Sequence, residues 1–436
     1  MPHRPARILV TMRNRFLLPS LGCLLLIFSC KTMRMADSGP SFHTDPFLKS
    51  LLWAHADTAM RDILQHPDRY RLQIIYVQID RDSAGRPSFR RYRYHENPAY
   101  YFYPASTVKL PIALAALEKV HRLQIPGLDK YTPMFTDSIM PGTPAVTQDT
   151  SAANGLPSIA QYIRKIFLVS DNDAANRLYE FVGQGALNRL LHQKGYVRTD
   201  ILHRLNISLT EDQNRHSNPV EFRRDGRVLY SQPEMYNPDP YPQRHDEVGE
   251  GYISGAKRID QPMDFSQKNR APLAELLTML QSVIFPASVP AENRFDLDES
   301  DYSFLYQAMS AFTNESRHPA YDMQVFPPAS VKFLMYGAED TAHILPDVRI
   351  YNKPGWAYGF MTDVAYVADF KHRVEFMLAA TLYANRDEVL NDNHYEMDEV
   401  AKPFFRQLGQ LIYHYELSRP RKYLPDLSRY SVSNKD

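Results

Sequence analysis

The stretch "DVAYVADFKHRVEFMLAATLYA", residues 363–384, contains two runs rich in β-branched and aromatic residues on either side of a short polar turn. This pattern predicts two antiparallel strands near the C-terminus. A second hairpin is predicted near the other end of the fold, where "RLQIIYVQID" (71–80) and "SFRRYRYHE" (88–96) flank the turn "DSAGRP". We infer that both ends of the chain contribute strands to one antiparallel sheet.

Helices are predicted outside and between these hairpins. Apolar residues recur at helical spacing over 45–67, behind Asp45 and a proline, and this spacing predicts one helix. Another helix is predicted over 400–415, and the section 110–345 has mostly helical signals. The expected fold class is therefore α/β (α+β), with an antiparallel sheet built from both chain ends, terminal helices and an inserted all-helical subdomain.

These patterns divide the chain into segments. A signal peptide is expected over 1–30, a tether over 31–44, one folded domain over 45–417 and a tail over 418–436. Within the domain, the sheet subdomain is expected at 45–103 and 346–417, and the helical subdomain at 104–345. Residues 225–265 are dense in Tyr, Pro, Gly and Asp. They are expected to form a long surface excursion, either coating the domain or forming the rim of a cleft.

The N-terminus has the features of an export signal. A basic stretch precedes "FLLPSLGCLLLIFSC" (16–30), an apolar run too short for a typical membrane span. The run ends at Cys30, which resembles the lipobox cysteine of bacterial lipoproteins; a plain anchor helix is the alternative. The protein is thus expected to be exported to the bacterial cell envelope and lipid-anchored through Cys30 on the periplasmic side.

The cysteine content and the charge exclude several kinds of chemistry. The other cysteine, Cys23, lies within the signal, so the mature chain has no disulfide pair, no cysteine nucleophile and no cysteine metal site. The formal net charge is zero, which gives no reason to expect a nucleic-acid partner. The sequence lacks H-E-x-x-H and G-x-S-x-G, so we expect no metal and no cofactor.

Three short motifs suggest nucleophilic catalysis. In "YPASTVKLPIALAALEKV" (103–120), Ser106 and Lys109 are three residues apart at the start of a predicted helix, which would place both side chains on one face. Further along come "SDN" at 170–172 and "KPG" at 353–355. Each motif alone could be a helix cap or a turn, but the order S-x-x-K, S-D-N, K-x-G is that of the penicillin-recognising serine enzymes.

Two similar patterns are interpreted as accidental. Ser254 and Lys257 form a second S-x-x-K, but a glycine follows the serine and the surrounding segment is a Pro/Gly/Tyr-rich loop. In "PPASVKF" (327–333), Lys332 is only two residues after Ser330. Neither pair is expected to share a helix face.

On these motifs the chain resembles the class A β-lactamases and the related penicillin-binding transpeptidase domains, over about residues 45–417. The resemblance implies a catalytic role for the motif residues. Ser106 would be the acylated nucleophile, Lys109 its activating partner and Ser170 the proton relay to the leaving nitrogen. Substrate binding would involve Asn172, Lys353, Gly355 and Trp356, with the backbone N–H groups of Ser106 and Trp356 forming the oxyanion hole.

Two features depart from the family. Pro354 replaces the usual Ser or Thr between Lys and Gly. The loop "TDILHRLNISLTEDQNRHSNPVEF" (199–222) contains Leu205-Asn206, and counting four residues back places Leu202 where the family has its deacylating glutamate. His203, Asp200 or the more distant Glu211 could substitute. The same register predicts an ion pair between Asp200 and Arg215.

The expected activity is that of a β-lactamase-like serine hydrolase, implied to act in antibiotic resistance, with a β-lactam or peptidoglycan peptide as its small-molecule partner. Two alternatives remain open. One is a D-Ala-D-Ala peptidase or penicillin-binding protein with slow deacylation, which Leu202 favours. The other is a non-catalytic cell-wall-binding lipoprotein, which a full set of motif residues disfavours. The protein is expected to be a monomer.

Overall fold

A computed structural model of the chain describes residues 41–338 and 344–431. The expected signal peptide, its Cys30 and most of the tether lie outside the described residues. None of the helices in the described ranges combines the length and apolar character that crossing a membrane requires.

The described residues form eleven helices and fifteen strands. The helices are α1 Pro46–His55, α2 Thr58–Gln65, α3 Lys109–Leu123, α4 Ile159–Val169, α5 Asn172–Val182, α6 Gln184–Gln193, α7 Glu211–Arg215, α8 Leu273–Ile284, α9 Glu299–Ser310, α10 Phe333–Tyr336 and α11 Lys402–Ser418. The strands are β1 Gln73–Arg81, β2 Pro87–Tyr94, β3 Met134–Thr136, β4 His216–Ser217, β5 Val220–Arg224, β6 Arg227–Gln232, β7 Met235–Tyr236, β8 Glu247–Val248, β9 Gly251–Ser254, β10 Lys257–Ile259, β11 Met263–Asp264, β12 Val348–Ala357, β13 Phe360–Asp369, β14 Val374–Tyr383 and β15 Val389–Leu390.

The central sheet joins the two ends of the fold. Its five strands lie in the order β12-β13-β14-β1-β2, and all neighbours are antiparallel. The link between the ends is the pairing of β1 with β14, in which Gln73 lies opposite Thr381 and Gln78 opposite Phe376. The predicted fold class is confirmed in this respect, because the early hairpin and the late strands form one antiparallel sheet.

Both faces of the sheet are buried. Alternate residues of β1 belong to different cores: Ile74 and Tyr76 pack with the terminal helices α1, α2 and α11, whereas Ile75 and Val77 face the inserted section and α8. In the interior of the sheet neither face meets solvent, so β13 and β14 consist entirely of buried residues, whereas the edge strand β2 is partly exposed. This double burial explains why the late strands appear in the sequence as almost continuous apolar runs.

The expected first helix is two helices. The helical pattern continues across 56–57, but α1 ends at His55 and α2 begins at Thr58. Asp57 caps the second helix, since its Oδ1 accepts a hydrogen bond of 2.8 Å from the backbone N–H of Met60. A capping side chain of this kind satisfies a backbone donor that a continuous helix would satisfy internally, and it stabilises the break.

The inserted section contains strands as well as helices, so the expected all-helical subdomain is not found. Helices α3 to α6, α8 and α9 form its core, but short strands from β3 to β11 lie between them. Much of the Tyr/Pro-rich excursion is in these strands, because its aromatic and β-branched residues pair in short hairpins. One of them, β9, pairs in parallel with β15, placing Gly251 opposite Val389.

The expected tail packs against the domain over residues 419–431, the part of it that follows α11 and that the structure describes. Tyr430 is only 4% exposed and its ring contacts those of Tyr306, Tyr351 and Tyr366. Its hydroxyl donates a hydrogen bond of 2.9 Å to the carbonyl oxygen of Ile284. The segment therefore covers the sheet face on which α8 lies.

Replacing Tyr430 by Ala should lower the free energy of unfolding by about 3–5 kcal/mol, because it leaves a cavity among three aromatic rings and an unpaired carbonyl. Urea denaturation measures this change. Tyr423→Ala is the matched control in the same segment: its side chain is 37% exposed, so the loss should stay below about 1 kcal/mol. Equal losses in the two variants would contradict the packing described for residues 419–431.

Candidate active site

Ser106 and Lys109 lie on one short turn. Residues Ala105–Val108 form a 3₁₀ turn that leads into α3 at Lys109, and the backbone N–H of Lys109 donates to the carbonyl oxygen of Ser106. Side chains three residues apart in a 3₁₀ turn eclipse one another. The serine and the lysine therefore project from the same side of the turn.

The Lys109 ammonium reaches the S-D-N motif. Its Nζ donates to Asn172 Oδ1 at 2.7 Å and to Ser170 Oγ at 3.2 Å, and also to the Ser170 carbonyl oxygen. Ser170 ends α4 in the left-handed region (φ 59°), while Asp171 caps α5 by accepting from the backbone N–H of Ala174. The sharp turn between the two helices thus directs Ser170 and Asn172 towards Lys109.

Lys353 approaches the same hydroxyl from the sheet. It lies in the edge strand β12, and its Nζ donates to Ser170 Oγ at 2.8 Å and to the Pro354 carbonyl oxygen at 2.7 Å. Lys109 and Lys353 are both buried. One serine hydroxyl therefore lies between two buried lysines that come from different parts of the fold.

Burial shifts the proton equilibrium of both lysines towards the neutral amine. It lowers the pKa of Lys109 from 10.5 to about 7, against a smaller opposing effect of Asp171. Burial also lowers the pKa of Lys353 well below its usual value, and the neighbouring Lys109 charge lowers it further. Two like charges beside one hydroxyl disfavour each other, so a neutral amine is available at this site near neutral pH.

Gly355 allows β12 to lie against the Ser106 turn. A Cβ atom at this position would lie 2.6 Å from the backbone nitrogen of Ser106 and 2.9 Å from the carbonyl oxygen of Pro104. Only glycine fits such an approach. Trp356 follows in the strand, with its side chain 59% exposed. The backbone of the K-x-G strand and the backbone N–H of Ser106 are thus next to each other.

Ser106 opens into a cleft of about 830 Å³. Its wall contains Ser106, Ser170, Asn172 and Gly355 of the motifs together with aromatic and amide side chains, and no Asp, Glu or His is among the described residues that line it. The lining residues are Tyr103, Ala105, Ser106, Val169, Ser170, Asn172, Leu205, Asn206, Val325, Phe326, Ser330, Val331, Phe333, Pro354, Gly355, Trp356, Ala357, Tyr358, Asn391, Asn393 and Tyr395. Among the described residues, the cleft therefore presents serine hydroxyls and amide groups, but no carboxylate, to a bound molecule. Lys109 and Lys353 are not among these lining residues, but both donate to Ser170 Oγ, which is.

The register expected for the 199–222 loop is wrong. Leu202 does not line the cleft; Leu205 and Asn206 do. Asn176, one helical turn after Asn172 in α5, holds the Leu205 backbone: its Nδ2 donates to the Leu205 carbonyl oxygen at 2.9 Å, and its Oδ1 accepts from the Leu205 N–H at 2.8 Å. The spacing of four residues from Asn172 was the sequence signal for this clamp. The cleft position in this loop therefore belongs to Leu205.

The ion pair expected between Asp200 and Arg215 is not formed. Asp200 lies 3.2 Å from His192 Nε2, whereas Arg215 pairs with Glu211 at 2.7 Å. Arg204 instead ties the loop to the domain. It is buried, pairs with Glu180 at 2.9 Å and donates to the carbonyl oxygen of His216 at 2.6 Å.

None of the three substitute bases lines the cleft. His203 packs behind its wall, with its ring stacked parallel to that of Tyr103 at 6.2 Å. Burial lowers the pKa of His203 to about 4, so this imidazole is neutral at physiological pH. Asp200 and Glu211 are engaged by His192 and Arg215.

The two serine–lysine pairs that the sequence analysis interprets as accidental lie in different surroundings. Ser254 and Lys257 pair directly across the β9–β10 turn, so no helix face unites them. Lys332 also shares no helix face with Ser330, but it is fully buried beside β12 and bonds to Asn352 Oδ1 at 2.9 Å. Its position in the structure is therefore much closer to the K-x-G strand than its sequence spacing indicates.

The excursion 225–265 supports the cleft from outside. None of its residues lines the cleft, but it holds two walls. Phe265 at its end packs against the rings of Tyr103 and Tyr358. The β9–β15 pairing lies directly before the 391–395 wall, where the backbone N–H of Asn391 donates to the Tyr395 hydroxyl at 2.7 Å.

In the ranges that the structure describes, two groups of potential metal ligands lie outside the cleft lining. They are His121, Asp298 and Asp301, and Asp387, Asp392 and His394. In the first group, Lys130 pairs with Asp301 at 3.0 Å, which supplies its positive counter-charge. The second group belongs to a solvent-exposed loop.

A serine beside a lysine, with a second serine between two lysines, defines a candidate site of the serine-hydrolase class. Residues 85–239 match the model described as the β-lactamase enzyme family. This match includes Ser106, Lys109, Ser170 and Leu205, but ends before Lys353. It confirms the resemblance to the β-lactamases for this part of the chain.

Solved structures of β-lactamases share a general likeness with the chain. That from Sphaerobacter thermophilus is 12% identical, with a TM-score of 0.45, covering 85% of this chain and 98% of its own. Those from Xanthomonas campestris and Streptomyces albus are 16% and 13% identical, with TM-scores of 0.44 and 0.42; each covers 81% of this chain, and 97% and 99% of its own. No curated protein matches the chain.

The lowered pKa of Lys109 should make stability depend on pH. Between about pH 7 and the ordinary value of 10.5, the unfolded chain binds a proton that the folded chain has lost, so the free energy of unfolding rises with pH. Lys109→Met removes this dependence. The variant should gain most in stability near pH 6, and its gain should fall by about 2–3 kcal/mol by about pH 9.

Urea denaturation of wild type and variant at several pH values measures this difference. A gain that is constant with pH, or that grows as pH rises, would contradict the depressed pKa of Lys109.

Proposed function

We propose that this protein opens β-lactams or related amide bonds through an acyl-enzyme on Ser106. The observation that carries the proposal is the convergence of Lys109 and Lys353 on Ser170 Oγ, in a cleft that Ser106 also lines. A structural serine has no use for two buried lysines, since each buried ammonium is costly unless its surroundings hold it. An activated serine needs such a neutral amine as its base.

In the proposed acylation, Ser106 Oγ attacks the carbonyl carbon of the substrate while its proton passes to the neutral amine of Lys109. The oxyanion is held by the backbone N–H groups of Ser106 and Trp356. When the C–N bond breaks, the leaving nitrogen takes the hydroxyl proton of Ser170. The Lys353 ammonium then donates a proton that restores the Ser170 hydroxyl. Asn172 binds the substrate amide, and the Lys353 cation attracts the substrate carboxylate.

Deacylation is expected to be slow, which favours the second candidate function, a D-Ala-D-Ala peptidase or penicillin-binding protein. The supporting observation is that Leu205 and Asn206, rather than a carboxylate, line the cleft. A missing general base typically costs about 10²–10⁴-fold in rate. The acyl-enzyme would then persist, unless Lys109 also activates the water.

The location is part of the same proposal. Export by the N-terminal signal and acylation at Cys30 would place the domain at the cell envelope, on the periplasmic side, where cell-wall peptides and β-lactams are found. The protein would act there as a monomer, tethered through residues 31–44. The third alternative, a non-catalytic cell-wall-binding lipoprotein, would have no need for the paired lysines.

Labelling with a fluorescent penicillin tests the nucleophile. Wild type should carry one covalent label, and Ser106→Ala should carry none, because the label is an ester of Ser106. Ser254→Ala is the matched control, since it removes the serine of the other S-x-x-K and should be labelled like wild type. Label that survives in Ser106→Ala, or a folded wild type without label, would overturn the proposed function.

Introducing a base tests the slow second step. Leu205→Glu places a carboxylate on the cleft wall and should speed the loss of the label by about 10-fold or more. Leu205→Gln, which has similar shape but no base, should retain the label as wild type does. The rate at which each variant loses its fluorescent label is measured by gel fluorescence. Equal rates in the two variants would show that Leu205 does not face the attacking water.

A further inference from the structure

A buried cation lies behind the strand that carries Lys353. Lys332 is fully buried, and its Nζ donates to the carbonyl oxygens of Met309 (2.5 Å) and Ile350 (3.0 Å) and to Asn352 Oδ1 (2.9 Å). These three acceptors match the three hydrogens of an ammonium group. Burial lowers the pKa of Lys332 to about 7, whereas the charge of Asp363 and this full set of acceptors favour its charged form.

Asn352 connects this cation to a buried carboxylate. Its Nδ2 donates to Asp363 Oδ1 at 2.9 Å and Oδ2 at 3.0 Å, and to the Val331 carbonyl oxygen at 2.8 Å. Asp363 also accepts from the backbone N–H of Leu334 at 3.1 Å. The amide thus turns its oxygen to the cation and its nitrogen to the anion. We call Lys332, Asn352 and Asp363 the Lys332 network.

The network is adjacent to Lys353. Asn352 directly precedes Lys353 in β12, and Asp363 lies opposite Pro354 in β13. The charge of Asp363 raises the pKa of Lys353, whereas that of Lys332 lowers it. These two effects on the pKa of Lys353 have opposite sign, so the charges of Lys332 and Asp363 oppose each other at Lys353.

Within the described part of the chain, few other charged groups act on these lysines. Lys109 lowers the pKa of Lys353 from the nucleophile side, and Asp171 faces Lys109. Arg349 and Glu315 face Lys332, but they pair with each other at 2.8 Å and act on it in opposite directions. Lys332 and Asp363 are therefore the charges behind β12 that can be changed without altering a residue of the cleft.

The network also holds one wall of the cleft. Its bonds to the Val331 carbonyl oxygen and the Leu334 N–H fix the segment 331–334 against β12 and β13. Val331 and Phe333 in that segment line the same cleft as Ser106. One set of hydrogen bonds thus reaches both the cleft wall and the strand of Lys353.

We propose that Lys332, Asn352 and Asp363 are positioning residues for the reaction at Ser106: their paired charges set the protonation state of Lys353, and their hydrogen bonds fix the cleft wall beside it. The link to catalysis rests on the proposed function. The electrostatic part concerns Lys353 itself and holds for any reaction at this site.

Direct titration of Lys353 tests the network. Protein labelled with [ε-¹³C]lysine is titrated by NMR, and the Lys353 signal is assigned by its loss in Lys353→Arg. Lys332→Gln removes a like charge and should raise the Lys353 midpoint by about one pH unit. Asp363→Asn removes an opposite charge and should lower it by a similar amount. Both replacements retain hydrogen-bonding groups, and the double variant should return the midpoint to within a few tenths of a pH unit.

Lys130→Gln is the matched control, because Lys130 is another buried lysine with a carboxylate close by, in this case Asp301 at 3.0 Å, and both lie outside the cleft lining. It should leave the Lys353 midpoint unchanged. The proposal is overturned if both single variants keep the wild-type midpoint, if both shift it in the same direction, or if Lys130→Gln shifts it as far. Should one single variant fail to fold, the sign of the shift in the other decides.

The pH profile of penicillin labelling is the second readout. Since the Lys353 cation is expected to bind the substrate carboxylate, labelling should decline as pH rises through the Lys353 midpoint. This alkaline limb should move up in Lys332→Gln and down in Asp363→Asn. If wild type takes no label at all, the proposed function fails, while the NMR titration still decides the role of the network.

Discussion

The hydrogen bonds from Lys109 and Lys353 to the single hydroxyl of Ser170 are the interaction on which the site depends. Lys109 comes from the first helix of the inserted section, Ser170 from the turn between two of its later helices, and Lys353 from the sheet. The three groups meet only when the insertion is docked against the edge strand. The close approach at Gly355, which admits no side chain, sets how near the two parts come.

Burial makes this meeting chemically useful. In water both lysines would be protonated and unable to act as bases. Within the fold, desolvation and mutual repulsion bring a neutral amine within the physiological range of pH. The same low-polarity setting makes any nearby buried charge effective, which is why a network on the other side of β12 can influence Lys353. Stability and reactivity are thus linked through the same two side chains.

The sequence predicted the parts of the site that short motifs encode. Ser106, Ser170 and Asn172 line one cleft, Lys109 and Lys353 both bond to Ser170, and the late and early hairpins form the predicted sheet. Local capping was underestimated: Asp57 splits a helix whose apolar spacing is continuous. This difference between prediction and structure arises because a single side-chain hydrogen bond outweighs the repeating apolar pattern.

Contacts between distant segments could not be predicted from spacing. Counting residues placed Leu202 at the cleft, but Asn176 and Arg204 hold the loop so that Leu205 lies there. The two-residue spacing from Ser330 gives no reason to expect a role for Lys332, yet its partners Met309, Ile350 and Asn352 come from two other segments, α9 and β12. Such partners are determined by the tertiary structure.

The most direct test of this account is the intact mass of the protein during incubation with a β-lactam. The account predicts an adduct of one β-lactam that maps to Ser106 and persists, because two lysines activate the serine while none of the described residues that line the cleft offers a carboxylate to activate water. Failure of the folded protein to form any adduct would contradict the activation of Ser106. An adduct that forms and clears rapidly would contradict the assignment of Leu205 to the position facing the hydrolytic water.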